Sequence, residues 1–115
     1  MTGRTIALLD TDPSALHQAA AWVADNSPEL DVTIRATSWG ELLTNNQFPP
    51  QAVVLHPKAT DRVNPAYETR VCRILDIEVI VIIDHTLEHA HESFRSAGAH
   101  IAHGLEHAAT VLKTI

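Results

Sequence analysis

The chain carries a single cysteine, Cys72, so no internal disulfide can form. It sits in a helical stretch beside Arg73 and reads as a plain packed or surface thiol. Only four glycines are present, Gly3, Gly40, Gly98 and Gly104, and they are too scattered to build a phosphate-cradling loop. There is no nucleophile elbow and no activated cysteine, so an enzyme is not expected. The longest apolar run, Val79 to Ile83, is far shorter than the roughly 20 residues of a membrane-spanning helix. Met1-Thr2-Gly3-Arg4 leads directly into a strand without the apolar core of a signal peptide, and a cytoplasmic location follows as the expectation. Positive charge is scarce as well. The net charge of −6 disfavours direct contact with nucleic acid, which needs a basic face. Repeats, linkers and low-complexity tracts are absent.

What is present suits one domain with one core: 115 residues, 45% hydrophobic and 19% charged. The expectation is a single domain over residues 1–115. Short apolar runs alternate with helical patterns. Ile6 to Leu9 is a strand, ended by Asp10-Thr11-Asp12-Pro13, where Asp12 suits an N-cap and Pro13 the first helical position. Leu16, Ala19, Ala20 and Val23 then share a helical face. Val32 to Ala36 alternates with period two. Ser38-Trp39-Gly40-Glu41 matches a capping box and opens a short helix, which Phe48-Pro49-Pro50 ends. Ala52 to Leu55 is the third strand. A helix restarts at Asn64-Pro65, with Val71, Ile74 and Leu75 as its later apolar positions. Val79 to Ile83 is the fourth strand, and Thr86 caps a helix with Leu87, Ala90, Phe94 and Ala97 on its apolar stripe. Ala99 to His103 makes a weak fifth strand. A last helix turns Leu105, Ala108, Ala109, Leu112 and Ile115 inward.

Five such strand–helix pairs predict an α/β three-layer sandwich, a parallel sheet with helices on both faces. Strands one, three and four are continuously apolar, as buried central strands are, whereas two and five alternate as edges can. That fits the flavodoxin-like order 2-1-3-4-5. Sites in such sheets form at the carboxyl ends of the strands. The residues placed there are Asp10, Thr11, Asp12, His56, Asp84, His85 and His103.

These stretches resemble the receiver domain of bacterial response regulators. Ile6 to Pro13 resembles its acidic first strand and Val53-Val54-Leu55-His56 its phosphoacceptor strand. Val79 to Ile83 resembles the strand that ends in a switch Thr or Ser, and Ala97-Gly98-Ala99-His100 the turn before strand five. The resemblance covers the whole chain, and its departures lie at the chemistry. His56 stands where the family has the aspartate that accepts phosphate, and an imidazole cannot form an acyl phosphate. Thr11 stands where the second of two adjacent acids would hold Mg²⁺, with Asp10 matching the first and Asp12 one place late. Ile83, ahead of Asp84, stands at the switch position, and the lysine expected after strand five has no counterpart. Mg²⁺ wants oxygen ligands in an octahedron, and this set breaks that requirement. The resemblance therefore implies an atypical receiver that works without aspartyl phosphorylation, with no cofactor.

Three readings of the altered pocket stay open. Asp10, Asp12 and His56 can simply satisfy loop and helix-cap groups. His56 with Asp10, Asp12 or Asp84 can hold a transition metal such as Zn²⁺. The pocket can also bind an anion or small molecule through protonated His56. The site expectation is a vestigial pocket without metal.

Six of the eight histidines lie between His85 and His107. His85 to His89 spells H-x-x-E-H, but the match straddles a strand end and a helix start, and the chain is too short for a zinc protease. The resemblance gives the region another meaning. In receiver domains the helix 4–strand 5–helix 5 face is the usual dimerisation surface, here spanning about Leu87 to Ile115. His89, His91, His100, His103 and His107 on it predict a homodimer whose strength depends on pH. The family also implies a DNA-binding output domain, often of the LuxR type, after the receiver, if these 115 residues are a fragment of a longer protein. The rival expectation is a stand-alone flavodoxin-like protein that binds a metal or a small ligand.

Overall fold

Among the described residues five strands and five helices alternate: β1 (Arg4–Leu9), α1 (Pro13–Asn26), β2 (Leu30–Ala36), α2 (Trp39–Thr44), β3 (Ala52–Leu55), α3 (Pro65–Ile74), β4 (Glu78–Ile82), α4 (His91–Ala97), β5 (His100–Ala102) and α5 (Leu105–Thr114). The computed structural model describes residues 4–58, 65–83 and 90–114. Asp84, His85, Thr86, Leu87, His89 and Ile115, all named above, lie outside the described residues. The strands form one parallel sheet in the order β2-β1-β3-β4-β5, the expected flavodoxin-like arrangement.

The sheet separates two apolar layers. Leu16, Ala20 and Val23 of α1 and Ala108, Ala109 and Leu112 of α5 pack on one face, against Ile6, Leu8, Val54 and Ile80. On the other face Leu42 of α2, Cys72 of α3 and Phe94 of α4 pack against Ala7, Val53, Val79 and Val81. Neighbouring residues of a central strand thus serve opposite layers, which is why those strands read as unbroken apolar runs.

Two expectations are corrected. The period-two reading of β2 fails at a bulge. Ile6 pairs with Val32 but Ala7 pairs with Ile34, leaving Thr33 as the extra residue. The bulge sends Val32 to the α1/α5 layer and Ile34 and Ala36 to the α2/α3/α4 layer. The second concerns α3. Its buried side chains are Ala66, Glu68, Thr69 and Cys72, whereas Ile74 is 83% and Leu75 48% exposed. The helix ends in a Schellman turn: the Ile77 N–H donates to the Cys72 carbonyl and the Asp76 N–H to the Arg73 carbonyl. Asp76 takes the left-handed position with φ 62°. The turn swings the chain back into β4 through buried Ile77 and leaves Ile74 and Leu75 facing solvent.

The same device ends α4, with Gly98 at φ 108° and the Ala99 N–H donating to the Phe94 carbonyl. A Cβ at Gly98 would lie 3.1 Å from Cγ of Arg73, so glycine is required there on two counts. Among the described residues no helix is long and apolar enough to cross a membrane.

Candidate functional site

The carboxyl ends of β1, β3 and β4 deliver Asp10, His56 and Ile83 to one edge of the sheet. Asp10 continues β1 and its N–H donates to the Ala36 carbonyl; the His56 N–H donates to the Leu9 carbonyl. These backbone bonds bring the two side chains together, and Nδ1 of His56 lies 3.0 Å from Oδ2 of Asp10. The second carboxylate oxygen, Oδ1, receives Nζ of Lys58 at 2.8 Å and the Asp12 N–H at 2.9 Å. Lys58 also donates to the carbonyl of His56 at 3.2 Å. Both oxygens of a buried carboxylate are thus engaged, by an ammonium, an imidazole and a backbone amide.

The sequence reading missed Lys58. It sought a lysine after strand five, where none stands, and not in the loop after strand three. The available signal was His56-Pro57-Lys58. With Pro57 buried, that run leaves the strand on the same edge as Asp10, within reach of a long side chain.

The other expected residues divide. Asp12 is the N-cap of α1, accepting from the N–H groups of Ser14 and Ala15, which directs its carboxylate to the helix. Thr11 is exposed beside it. Ile83 is buried in the α2/α3/α4 layer and offers no hydroxyl at the switch position. Asp84 is outside the described residues.

Magnesium, which the receiver fold implies, does not fit this donor set. The carboxylate that would hold it is closed by a cationic Nζ. The next candidate, Asp12, commits Oδ1 to the N-terminus of α1, and an imidazole replaces the third acid. No group of three histidine, cysteine, aspartate or glutamate side chains among the described residues is arranged to hold a metal ion.

Beside the Asp10–His56 pair a half-open cavity of about 420 Å³ runs between α1 and α5. Leu8, Val54 and Ile82 form its sheet wall; Leu16 and Trp22 of α1 and Leu105 of α5 flank it. His56 and His103 both line it, which links the altered pocket to the histidine-rich region.

That region separates into two parts. His91, His103 and His107 gather where α4, β5 and α5 meet. The rings of His103 and His107 stack at 5.9 Å between centroids, and His91 meets His103 edge-on at 6.4 Å. Nδ1 of His107 accepts the N–H of His103. His100 shares a surface depression with His91 and His103 but pairs elsewhere. It sits at the start of β5, and its Nε2 lies 3.1 Å from Oε2 of Glu78, whose Oε1 receives Arg73 at 3.1 Å. Burial by itself would raise the Glu78 carboxyl. The hydrogen bonds from His100 and Arg73, with their charges, outweigh it and hold the carboxyl below the ordinary carboxylate value. His89 lies outside the described residues.

Known structures share this architecture. A LuxR-family DNA-binding response regulator from Staphylococcus aureus matches with a TM-score of 0.80 at 8% identity, over 96% of this chain and 97% of that one. The signal receiver domain of the response regulator NarL from Mycobacterium tuberculosis matches at 0.73 and 13% identity, over 99% and 96%. The RcsB response regulator of Salmonella typhimurium, described for its DNA interaction, matches at 0.71 and 12% identity, over 99% of this chain and 58% of that one. The chain has the receiver-domain fold. No protein-family model matches the sequence, and no curated protein matches it either.

Proposed function

We propose that the chain is an atypical receiver domain, a cytoplasmic signalling module that works without aspartyl phosphorylation. The observation that carries this reading is the closure of Asp10 by Lys58 and His56. An acyl phosphate needs a carboxylate at the end of β3 and a divalent cation to neutralise its charge. Here the end of β3 is an imidazole, and the remaining acid is already neutralised by a side-chain ammonium. The switch hydroxyl is replaced by buried Ile83.

In this reading the module controls a DNA-binding output domain of the same protein, through homodimerisation on the α4–β5–α5 face or through a bound ligand. The LuxR-family likeness supports an output domain of that type. The clustering of His91, His103 and His107 on the proposed dimer face supports pH-sensitive association. Protonating several neighbouring imidazoles across a two-fold axis places like charges together and opposes pairing, whereas Arg95 of α4 beside them is paired with Glu92. Sedimentation equilibrium tests this. The expected outcome is a dimer that Mg²⁺ and acetyl phosphate leave unchanged and that weakens as pH falls from about 8 to about 5.5. A monomer at all pH values would refute the dimer.

The second reading, a stand-alone small-ligand-binding protein, is favoured by one observation, the apolar cavity at the same edge of the sheet.

A further inference from the structure

We propose that the cavity between α1 and α5 is a receptor site for a small apolar molecule bearing a hydroxyl group, which donates a hydrogen bond to Nε2 of His56. The inference rests on the atypical-receiver reading and names the input of that module.

The cavity's size, about 420 Å³, lies within the range of small-molecule sites. Its composition is that of a binding site rather than a packing fault. Leu8, Leu16, Trp22, Val54, Ile82 and Leu105 supply an apolar wall; Asp10, His56 and His103 bring polar groups to one end, after β1, β3 and β5, and Gln18 adds one on the α1 side. An apolar body on that wall leaves its polar group facing the strand ends.

The chemistry of that group follows from the Asp10–His56 pair. With the Asp10 carboxylate 3.0 Å from Nδ1, the neutral form of the ring keeps its proton on Nδ1 and presents Nε2 as an acceptor. Nε2 has no protein partner among the described residues, and the His56 side chain is 35% exposed at the cavity. The negative charge of Asp10 is countered by Lys58, so the site has no unbalanced anion to call in a cation. An anionic head would face the Nε2 lone pair. A hydroxyl satisfies it.

The location couples the site to the dimer face. His103, Gly104 and Leu105 line the cavity and form the β5–α5 junction, next to His107. A ligand that fits one arrangement of this junction better than another shifts the population toward it.

The experiment is an amide-correlation NMR titration of the isotope-labelled chain with three probes: naphthol, methoxynaphthalene, which has no proton to donate, and naphthoate. The expected result is that naphthol shifts the resonances of Leu8, Ala19, Trp22, Ile82 and Gly104 and binds about five- to tenfold more tightly than the other two, the effect of one hydrogen bond. His56→Phe is expected to erase that preference while retaining methoxynaphthalene binding, and Ala19→Trp to abolish binding of all three by filling the cavity. Should either variant misfold, the probe ranking on the unaltered chain decides alone. No shifts at millimolar naphthol, shifts outside the cavity, or equal affinity for naphthol and methoxynaphthalene would overturn the proposal. The atypical-receiver reading fails on a separate observation, incorporation of a phosphoryl group, which leaves the probe ranking intact.

Discussion

The ammonium of Lys58 lies 2.8 Å from Oδ1 of Asp10, across 48 residues of chain. The contact ties the end of β1 to the loop after β3 and places a positive charge where the receiver fold otherwise gathers acids around a metal. His56 completes the pair from the other side. The charge balance of Asp10 is built into the chain.

Removing either partner should cost stability, because the carboxylate is buried and both ligands are charged or polar. Lys58→Met and Asp10→Asn are each expected to destabilise by about 1–3 kcal/mol. The double variant should lose less than the sum, with a coupling of about 0.5–3 kcal/mol. Urea denaturation of the four proteins measures this, and strict additivity would show that the contact carries no energy.

Cys72 is fully buried, and burial, assisted by the charge of Glu68, pushes its thiol up to about 11 from an ordinary 9.0. At neutral pH that leaves about a hundredfold less thiolate than a free cysteine has. Alkylation by iodoacetamide should therefore be slow in the folded protein and accelerate only on unfolding. The linkage has a definite sign. The folded chain holds this proton more tightly, so stability falls as pH rises from about 9 towards 11. Rapid native-state alkylation would place Cys72 at the surface.

The fold was legible where burial leaves a compositional mark. The unbroken apolar runs at β1, β3 and β4 gave the sheet order, and the Asp12-Pro13 and Ser38-to-Glu41 caps gave the starts of two helices. The face of α3 was not legible. Val71, Ile74 and Leu75 are the larger apolar residues, yet the helix buries smaller Ala66, Thr69 and Cys72, and its end is set by the turn at Asp76 rather than by hydrophobicity. The bulge at Thr33 has no sequence signature, since period-two alternation runs straight through it. Of the site, the Asp10–His56 edge followed from topology. Lys58 did not, because an irregular loop has no periodicity to fix where a side chain reaches.

The turn at Asp76 makes a prediction of its own. A non-glycine residue at φ 62° is strained, though less so for aspartate than for most. Asp76→Gly is expected to stabilise by about 0.5–1 kcal/mol, whereas Gly98→Ala should destabilise by at least about 1 kcal/mol, from its φ and the Arg73 contact together. Thermal melts of both variants check the pair. Ile74→Lys, at an 83% exposed position, should change stability by no more than about 0.5 kcal/mol. A large loss there would mean that α3 faces the other way.

The Glu78 cluster governs acid behaviour at the far end of β4. Its carboxyl is held below the ordinary value of 4.5, so its contribution is present above that pH and is lost as pH falls through the lower folded value. Glu78→Gln should flatten the stability–pH curve below about pH 5 and cost no more than about 1 kcal/mol at neutrality, because the group is partly exposed. An unchanged acid limb would remove Glu78 from the account.

Intact-mass and NMR analysis of the chain incubated with Mg²⁺ and acetyl phosphate, with beryllofluoride in parallel, tests whether the closed Asp10 pocket excludes phosphorylation. The expected result is no added phosphoryl group and unmoved resonances for Asp10, His56 and Lys58. A stoichiometric phosphoryl adduct, on His56 or elsewhere in the pocket, or saturable beryllofluoride shifts at those residues, would contradict it.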